Sequence, residues 1–256
     1  MTRMPVLFAG HGSPMNAMED NVWSRGHAAL AALVPRPRAI LAVSAHWESD
    51  GTFTTRDDPP ATIHDFGGFP AALYAMRYPA PGDAALARRA AKLAGGSAAD
   101  GRGLDHGTWA VLHRMYPRAD VPVVQLSLDV RTAPAGHVAL GRALAPLRDE
   151  GVLILASGNL THDLRDAFSR MRRGDRATPD WAERFDAETA RAIEARDEAW
   201  LVQALETPDG RRAHPTAEHW LPVLYAFGAS DAQDATSFPV TGFELGSLSM
   251  RCVLLT

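Results

Sequence analysis

The sequence predicts an α/β fold, a single domain with a mostly parallel central sheet and helices on both faces. Two observations support this prediction. Short apolar runs that end in small or polar residues alternate along the chain with segments that carry apolar side chains at helical spacing. The apolar runs are continuous, which is typical of parallel strands that are buried on both faces.

The predicted elements follow one another in a strand–helix order. The first strand is expected at residues 5–10, and a helix at 23–33 leads to the second strand at 39–44. Further strands are predicted at 121–128 and 152–156. Further amphipathic helices are predicted at 84–93, 136–147 and 181–205.

The remaining segments are predicted as connections and as a C-terminal return. The loop-rich stretch 49–68 and the polar stretch 172–180 are expected to be surface excursions. Residues 243–255 carry β-branched and alternating side chains, so they are predicted to form a final strand or hairpin. Because no repeat, low-complexity tract or linker divides the chain, residues 1–256 are expected to form one domain.

Composition excludes several kinds of catalytic site. The 256 residues include 10 histidines but only one cysteine, Cys252, and one lysine, Lys92. A lone cysteine cannot form an internal disulfide, a thiolate zinc cage or an iron–sulfur site. A lone lysine argues against a Schiff-base enzyme and leaves no phosphate-binding loop. The chemistry is therefore expected to use imidazoles and carboxylates.

Charge and hydropathy limit the kinds of partner that the protein is expected to bind. The net charge is −4 and no basic stripe occurs, so no nucleic acid is expected to bind. No apolar run approaches the roughly 20 residues of a membrane span. The N-terminal sequence lacks a signal-peptide pattern, which predicts a cytoplasmic location. A homo-oligomer is compatible with the sequence.

Five histidines lie at predicted strand ends or helix starts. His11, His46 and His162 follow predicted strands, where ligands bind in open α/β sheets. His106 lies in a turn that leads into a helix, and His219 lies in a late helix for which Pro215 suits the first turn. The 35 residues between His11 and His46 match one strand–helix–strand unit, which would bring both to one rim.

Converging imidazoles are typical metal ligands and leave coordination positions open for substrate. The alternative is that each histidine is an ordinary hydrogen-bonded loop residue. A serine nucleophile is disfavoured, because Ser13 and Ser157 lie near histidines but neither forms a Gly-x-Ser-x-Gly elbow. A metal site is therefore the preferred interpretation.

Seven motifs in order along the chain resemble those of the DODA-type (LigB-like, class III) extradiol ring-cleavage dioxygenases, and most closely those of the bacterial 4,5-DOPA dioxygenase-like branch. The motifs are Gly10-His11-Gly12-Ser13-Pro14-Met15, Ser44-Ala45-His46-Trp47, His64-Asp65-Phe66-Gly67-Gly68-Phe69-Pro70, Tyr78-Pro79-Ala80-Pro81-Gly82, Leu104-Asp105-His106-Gly107, Ser157-Gly158-Asn159-Leu160-Thr161-His162, and His214-Pro215 with Glu218-His219.

The resemblance implies a catalytic domain that binds Fe(II) and opens a small, DOPA-like catechol with O₂. His11 and His46 match metal ligands, and the third ligand is Glu218 or His219, with His219 preferred. His162 matches either a fourth ligand or the catalytic base, and His106 matches a second catalytic histidine, an acid or hydrogen-bond donor. Zn(II) would also suit an all-imidazole site, but zinc cannot activate O₂ by redox chemistry.

Two alternative functions remain open at this point. A zinc-dependent hydrolase could use the same histidines, and its activity would not need O₂. A catalytically silent binding protein of the same fold would hold no metal, which the intact set of histidines disfavours.

Overall fold

An eight-stranded sheet forms the centre of the protein, in a computed structural model that describes residues 3–256. Met1 and Thr2 lie outside the described residues. Both belong to the predicted domain and to the N-terminal sequence that lacks a signal-peptide pattern. The strands of the sheet are β1 (Val6–Gly10), β2 (Ala39–Ser49), β3 (Phe53–Thr55), β4 (Ser97–Ala99), β5 (Val123–Asp129), β6 (Val152–Gly158), β7 (Thr236–Val240) and β10 (Cys252–Leu255). A separate hairpin consists of β8 (Phe243–Glu244) and β9 (Leu248–Ser249).

The strand order is β4-β3-β5-β2-β6-β1-β10-β7. The four central strands β5, β2, β6 and β1 are parallel to their neighbours in this group. Antiparallel pairing occurs towards the edges, between β3 and β5, β1 and β10, and β10 and β7. The mostly parallel sheet of the prediction is confirmed.

Ten α-helices connect the strands in the described part of the chain. They are α1 (Val22–Leu33), α2 (Ala71–Ala75), α3 (Ala84–Leu93), α4 (His106–Met115), α5 (Pro134–Leu144), α6 (Leu164–Arg173), α7 (Asp180–Glu194), α8 (Glu198–Gln203), α9 (Pro208–Ala213) and α10 (Leu221–Ala229). Short 3-10 helices lie at Pro14–Ala17, Ala145–Arg148 and Ala204–Glu206. Between residues 3 and 256, no helix combines the length and the apolar character that crossing a membrane requires.

Two hydrophobic cores lie on opposite faces of the sheet. Alternate residues of β1 show the division: Val6 and Phe8 belong to the core shared with α3, α5, α7 and α10, whereas Leu7 and Ala9 belong to the core shared with α1 and α4. Because side chains on both faces of a central strand are buried, its sequence is a continuous apolar run. The prediction of helices on both faces is confirmed.

The helix predicted at 181–205 is wrong as a single element. The chain leaves α7 at Glu194 and begins α8 at Glu198, followed by a 3-10 turn. Arg196 has a left-handed backbone (φ 56°), which a regular helix cannot contain. The Asp197 side chain then accepts a hydrogen bond from Trp200 N at 2.9 Å and starts a new helix.

The predicted surface excursions also need correction. Residues 49–68 include β3, where Thr54 and Thr55 are buried within the sheet. The polar stretch 172–180 begins inside α6, a helix that lies outside the predicted elements and that buries only Ala167, while its Leu164, Phe168 and Met171 are exposed. At the C-terminus both predicted forms occur, since the β8–β9 hairpin precedes β10, which pairs with β1.

Candidate metal centre

The five predicted histidines lie together at the carboxyl ends of the central strands. The ring centroids of His11 and His46 are 5.0 Å apart, and those of His11 and His219 are 5.2 Å apart. His106 lies 4.0 Å from His46, and His162 lies 3.4 Å from His219, both measured between ring centroids. Residues from widely separated parts of the chain therefore form one cluster.

His11 is held in the turn that follows β1. Its backbone N donates to Gly158 O at 3.0 Å, which ties the turn to the end of β6. Gly12 has φ 60°, and a Cβ at this position would collide with Glu244 and Met250. The Glu244 carboxylate accepts a hydrogen bond from the backbone N of Ser13 at 2.7 Å, so the C-terminal hairpin stabilises the turn.

His46 lies within β2 rather than after it, because the strand continues to Ser49. The pairing of β2 with β5 shifts register between Val43 and Glu48. This irregularity adds residues to β2 relative to its partner, and such bulges redirect side chains near functional sites. His46 lies at the rim of the sheet, as predicted, but it lies on an irregular part of β2 and not in a loop after the strand.

His106 is the first residue of α4. The side chain of Asp105 caps the helix by accepting from Thr108 N at 3.2 Å, and the Ser44 hydroxyl donates to the same carboxylate at 2.7 Å. The next residue, Gly107, packs so closely on β2 that a Cβ would lie 2.5 Å from Ser44 Oγ and 3.0 Å from His46 Cδ2. The start of α4 thus fixes His106 directly beside His46.

His219 lies in a turn and not in a helix. Residues 214–220 form turns and bends, and α10 begins at Leu221 with Pro222 in its first turn, so the predicted helix start at Pro215 is wrong. Because Glu218 and His219 both lie in this turn, their positions along the chain do not decide which of them faces the other histidines. Instead, His219 Nδ1 donates to Glu218 Oε1 at 3.0 Å, and the carboxylate orients the ring.

His162 contacts a different part of the cluster. Its ring stacks on that of His219 at an interplanar angle of 8°. Its backbone N donates to Ala213 O at 2.8 Å, which joins the segment after β6 to α9. His162, Glu218 and His219 offer ligand atoms within 4.8 Å of one another, as do His11, His46 and His106.

The hydrogen-bond partners determine which nitrogen each ring turns inward. The Ser157 hydroxyl donates to Gly107 O at 2.6 Å, so its oxygen accepts from His11 Nδ1 at 3.0 Å. His11 Nε2 is then a free lone pair. It lies 3.2 Å from His46 Nε2, so the two nitrogens point at the same small space, where one cation would contact both.

The third inward nitrogen is His219 Nε2. It is buried and has no hydrogen-bond partner among residues 3–256. The ring proton lies on Nδ1, which donates to Glu218, so Nε2 carries a lone pair. An orphaned buried nitrogen costs free energy unless a ligand satisfies it. Three neutral imidazoles with inward lone pairs suit Fe(II) or Zn(II), so the residues present fit a metal ion.

The cluster keeps four of its histidines, His11, His46, His162 and His219, uncharged. Burial is the main cause that lowers the pKa of His11, His46 and His219 well below 6.5, and neighbouring imidazoles lower it further. Burial is the main cause that lowers the pKa of His162 from 6.5 to about 3, and the charge of His214 is the second cause. Neutral imidazoles are the form that binds metal ions and accepts protons.

Aromatic side chains lie beside His106. The ring of Phe66 meets that of His106 edge-on at 5.5 Å, and it also contacts Phe69, Tyr74 and Trp109. Trp109 is buried in the core. The partly exposed Phe66 and Phe69 provide an apolar wall that a flat aromatic ring could contact.

A cavity of about 320 Å³ opens on the other side of the cluster, and its lining includes His162, Leu164, Arg165, Pro215, Thr216 and Glu218. Its volume is sufficient for a small molecule. A larger, more open depression of about 640 Å³ lies at the β3–β4 edge of the sheet and contains none of the clustered histidines. The smaller cavity is the one that adjoins the cluster.

Three residues support the histidines in ways that the sequence did not predict. Ser157 orients His11, Glu218 orients His219, and Asp65 contacts two histidines at once. All three lie inside motifs that the sequence analysis quoted. Their roles depend on contacts between distant segments, which spacing along the chain does not reveal.

Comparison with known proteins shows similarity to dioxygenases in both the family model and the individual relatives. The family model for the catalytic LigB subunit of aromatic ring-opening dioxygenase matches residues 6–245, a range that contains all five histidines. The chain is 47% identical to the 4,5-DOPA dioxygenase extradiol of Escherichia coli (strain K12), over 98% of this chain and 94% of that protein. It is 42% identical to the 4,5-DOPA dioxygenase extradiol of Beta vulgaris, over 95% of this chain and 93% of that protein.

A solved structure shows the same architecture. The crystal structure of an uncharacterized protein from Escherichia coli K12 matches with a TM-score of 0.85 and 42% sequence identity. The match covers 99% of this chain and 100% of that chain, so the similarity extends over the sheet and both helical layers.

Proposed function

Because the chain belongs to the family of the catalytic LigB subunit of aromatic ring-opening dioxygenases, and is an extradiol ring-cleavage dioxygenase, we propose that it opens a small, DOPA-like catechol with O₂ at a single Fe(II) ion. Its ligands in this proposal are His11, His46 and His219. The observations that support the proposal are the 3.2 Å contact between His11 Nε2 and His46 Nε2, and a His219 ring whose centroid lies 5.2 Å from that of His11 and 4.9 Å from that of His46 and whose buried Nε2 has no partner among residues 3–256.

The ligand set leaves Glu218 outside the metal shell. Its carboxylate is engaged with His219 Nδ1, an arrangement in which carboxylates commonly orient metal-binding histidines. When bound, Fe(II) with three protein ligands would supply open positions for both catechol oxygens and O₂.

The other two histidines handle protons in this proposal. Burial lowers the pKa of His162 to about 3, which keeps the ring neutral at pH 7 but makes it a weak base. It would therefore accept a proton from a catechol hydroxyl that the bound metal ion makes more acidic. His106 donates Nδ1–H to Asp65 at 3.0 Å, and this carboxylate would stabilise the imidazolium once Nε2 is protonated. His106 can therefore return a proton to the opened ring or donate a hydrogen bond to the substrate.

The shape of the site and the names of two relatives support this substrate class. Two relatives are named 4,5-DOPA dioxygenase extradiol. The apolar wall formed by Phe66 and Phe69 suits the ring of a catechol, and the cavity beside His162 gives space for a short side chain.

The test is metal reconstitution followed by O₂ uptake. Protein freed of metal is loaded anaerobically with Fe(II) or Zn(II), mixed with DOPA or catechol, and then exposed to air. We expect O₂ consumption and a coloured ring-opened product with Fe(II) alone. Absence of turnover with any catechol at full Fe(II) occupancy would contradict the proposal.

The same experiment distinguishes the two alternatives. A zinc hydrolase would act on its substrate with Zn(II) bound and without O₂. A silent binding protein would retain neither metal after dialysis.

A further inference from the structure

Asp65 lies on the loop between β3 and α2 and contacts two of the clustered histidines. Its Oδ1 accepts from the backbone N of His106 at 2.9 Å, and its Oδ2 accepts from His106 Nδ1 at 3.0 Å. The same Oδ2 lies 3.4 Å from His46 Nδ1. One carboxylate thus reaches imidazoles that come from β2 and from α4.

The two contacts bear on where the ring protons lie: the one to His106 is a hydrogen bond, and the 3.4 Å approach to His46 is an electrostatic contact. A carboxylate only accepts hydrogen bonds, so it favours the tautomer in which Nδ1 carries the proton. In that tautomer the Nε2 of His46 is a free lone pair directed at His11 Nε2, 3.2 Å away. The Nε2 of His106 is free in the same way.

The loop has other attachments that do not involve Asp65. The backbone N of Ile63 donates to Leu104 O at 2.8 Å, and Trp109 Nε1 donates to Ile63 O at 2.8 Å. His64 Nε2 also contacts Met76 O at 3.1 Å. Because these bonds hold the segment, the carboxylate of Asp65 is not required to keep the loop in place.

We propose that Asp65 is a positioning residue that holds His46 and His106 in the Nδ1–H tautomer. In that tautomer His46 presents the Nε2 lone pair to the metal ion, and His106 presents the Nε2 lone pair for proton transfer. This inference builds on the proposed function. It makes a specific prediction: loss of this one carboxylate weakens metal binding through His46 and slows turnover through His106.

The first measurement uses the unaltered, metal-free protein. Nitrogen-15 NMR of the imidazoles reports which ring nitrogen carries the proton. We expect Nδ1–H for His46 and His106. Nε2–H tautomers at both rings would overturn the proposal, whatever the enzyme's activity.

The second measurement compares Asp65→Asn with Asp57→Asn. Asparagine keeps the size of the side chain but can present an N–H to the ring, which favours the opposite tautomer. Asp57 is the matched control, since its carboxylate accepts from the backbone N of Gly101 at 2.9 Å in a nearby loop and the structure gives it no bond to an imidazole. Metal affinity is measured by competition with a chelator.

We expect Asp65→Asn to bind Fe(II) and Zn(II) about 10- to 100-fold more weakly, with an unchanged midpoint of urea unfolding. Its kcat should fall while KM changes little, and Asp57→Asn should match the unaltered protein. Equal metal affinities in all three proteins would contradict the proposal, as would a loss of affinity that merely follows a loss of stability. If the tautomers and affinities are as expected but no catechol is opened, the proposed function fails and the positioning role stands.

Discussion

At the scale of single residues, the partner of each imidazole decides which nitrogen faces the centre of the cluster. Ser157 and Glu218 each fix one ring. The sequence could suggest the five histidines because they follow strands or precede helices. It could not distinguish Glu218 from His219 as the ligand, because that distinction depends on a bond between adjacent side chains in a turn.

Substitutions at these two residues should separate ligand from supporting carboxylate. His219→Ala removes an inward nitrogen, so metal affinity should fall by more than about 100-fold, beyond the range typical of supporting residues. Glu218→Gln keeps an acceptor oxygen near His219 Nδ1, and the loss should stay within about 10- to 100-fold. Metal content after dialysis and chelator competition measure both effects. A greater loss in Glu218→Gln would assign the ligand to the carboxylate.

Acid sensitivity should arise in part from His27. This histidine is buried in α1 with Nε2 at 3.0 Å from Gly10 O, and burial is the main cause that lowers its pKa to about 4. Above pH 6.5 the ring is neutral in both the folded and the unfolded states. Between about pH 6.5 and 4 only the unfolded state binds the proton, so the free energy of unfolding falls, by up to about 3 kcal/mol from this residue.

His27→Gln tests this contribution, because glutamine can still donate to the Gly10 carbonyl but does not titrate. Urea unfolding of the metal-free proteins, measured from pH 7 to pH 4, should show a shallower loss of stability in the variant. Parallel curves for the two proteins would show that His27 contributes nothing to acid unfolding.

At the scale of elements, the junction between α4 and β2 places His106 beside His46. The strand–helix order predicted both elements, but the register shift in β2 and the close packing of Gly107 are three-dimensional features. The same limit explains the helix broken at Arg196, because a single left-handed residue leaves the apolar periodicity intact. Apolar patterns therefore predicted the elements better than their boundaries.

Gly107→Ala should disturb the metal centre more than the fold. The added Cβ would lie 2.5 Å from Ser44 Oγ and 3.0 Å from His46 Cδ2, so His46 must shift. We expect metal affinity to fall at least about 10-fold, with a loss of stability of about 1–3 kcal/mol from overpacking. Gly67→Ala is the control, since no atom lies within 4 Å of a Cβ there. Unchanged metal affinity in Gly107→Ala would show that the junction is more adaptable than its packing indicates.

At the scale of the whole molecule, a buried ion pair and the histidine cluster lie at opposite ends of the sheet. The histidines gather at the carboxyl ends of the central strands, whereas Arg148 precedes β6 at the amino end. Arg148 is 1% exposed, donates to Met4 O and Ala229 O, and pairs with Asp234 at 2.7 Å. The fold class was predictable because burial on both faces leaves continuous apolar runs, but this buried ion pair was not.

Asp234→Ala should destabilise the fold and leave the site intact. Removing the carboxylate leaves the Arg148 charge buried, at a cost of about 3–5 kcal/mol in the free energy of unfolding. Asp149→Ala is the matched control, because Asp149 forms only an exposed pair with Arg3 at 3.8 Å, worth about 0–1 kcal/mol. Urea unfolding measures both. A reduced kcat or metal content in folded Asp234→Ala would show that the ion pair also supports the metal centre, and would contradict this prediction.

The central claim, that the histidine cluster supports extradiol opening of a catechol with O₂, is tested most directly with isotopically labelled O₂. Fe(II)-loaded protein is mixed anaerobically with DOPA, labelled O₂ is admitted, and the product is analysed by mass spectrometry before its carbonyl oxygen exchanges with water. Both labelled oxygen atoms should appear in the ring-opened product, with one O₂ consumed for each ring opened. A product that forms without O₂, or that carries no label, would contradict the claim.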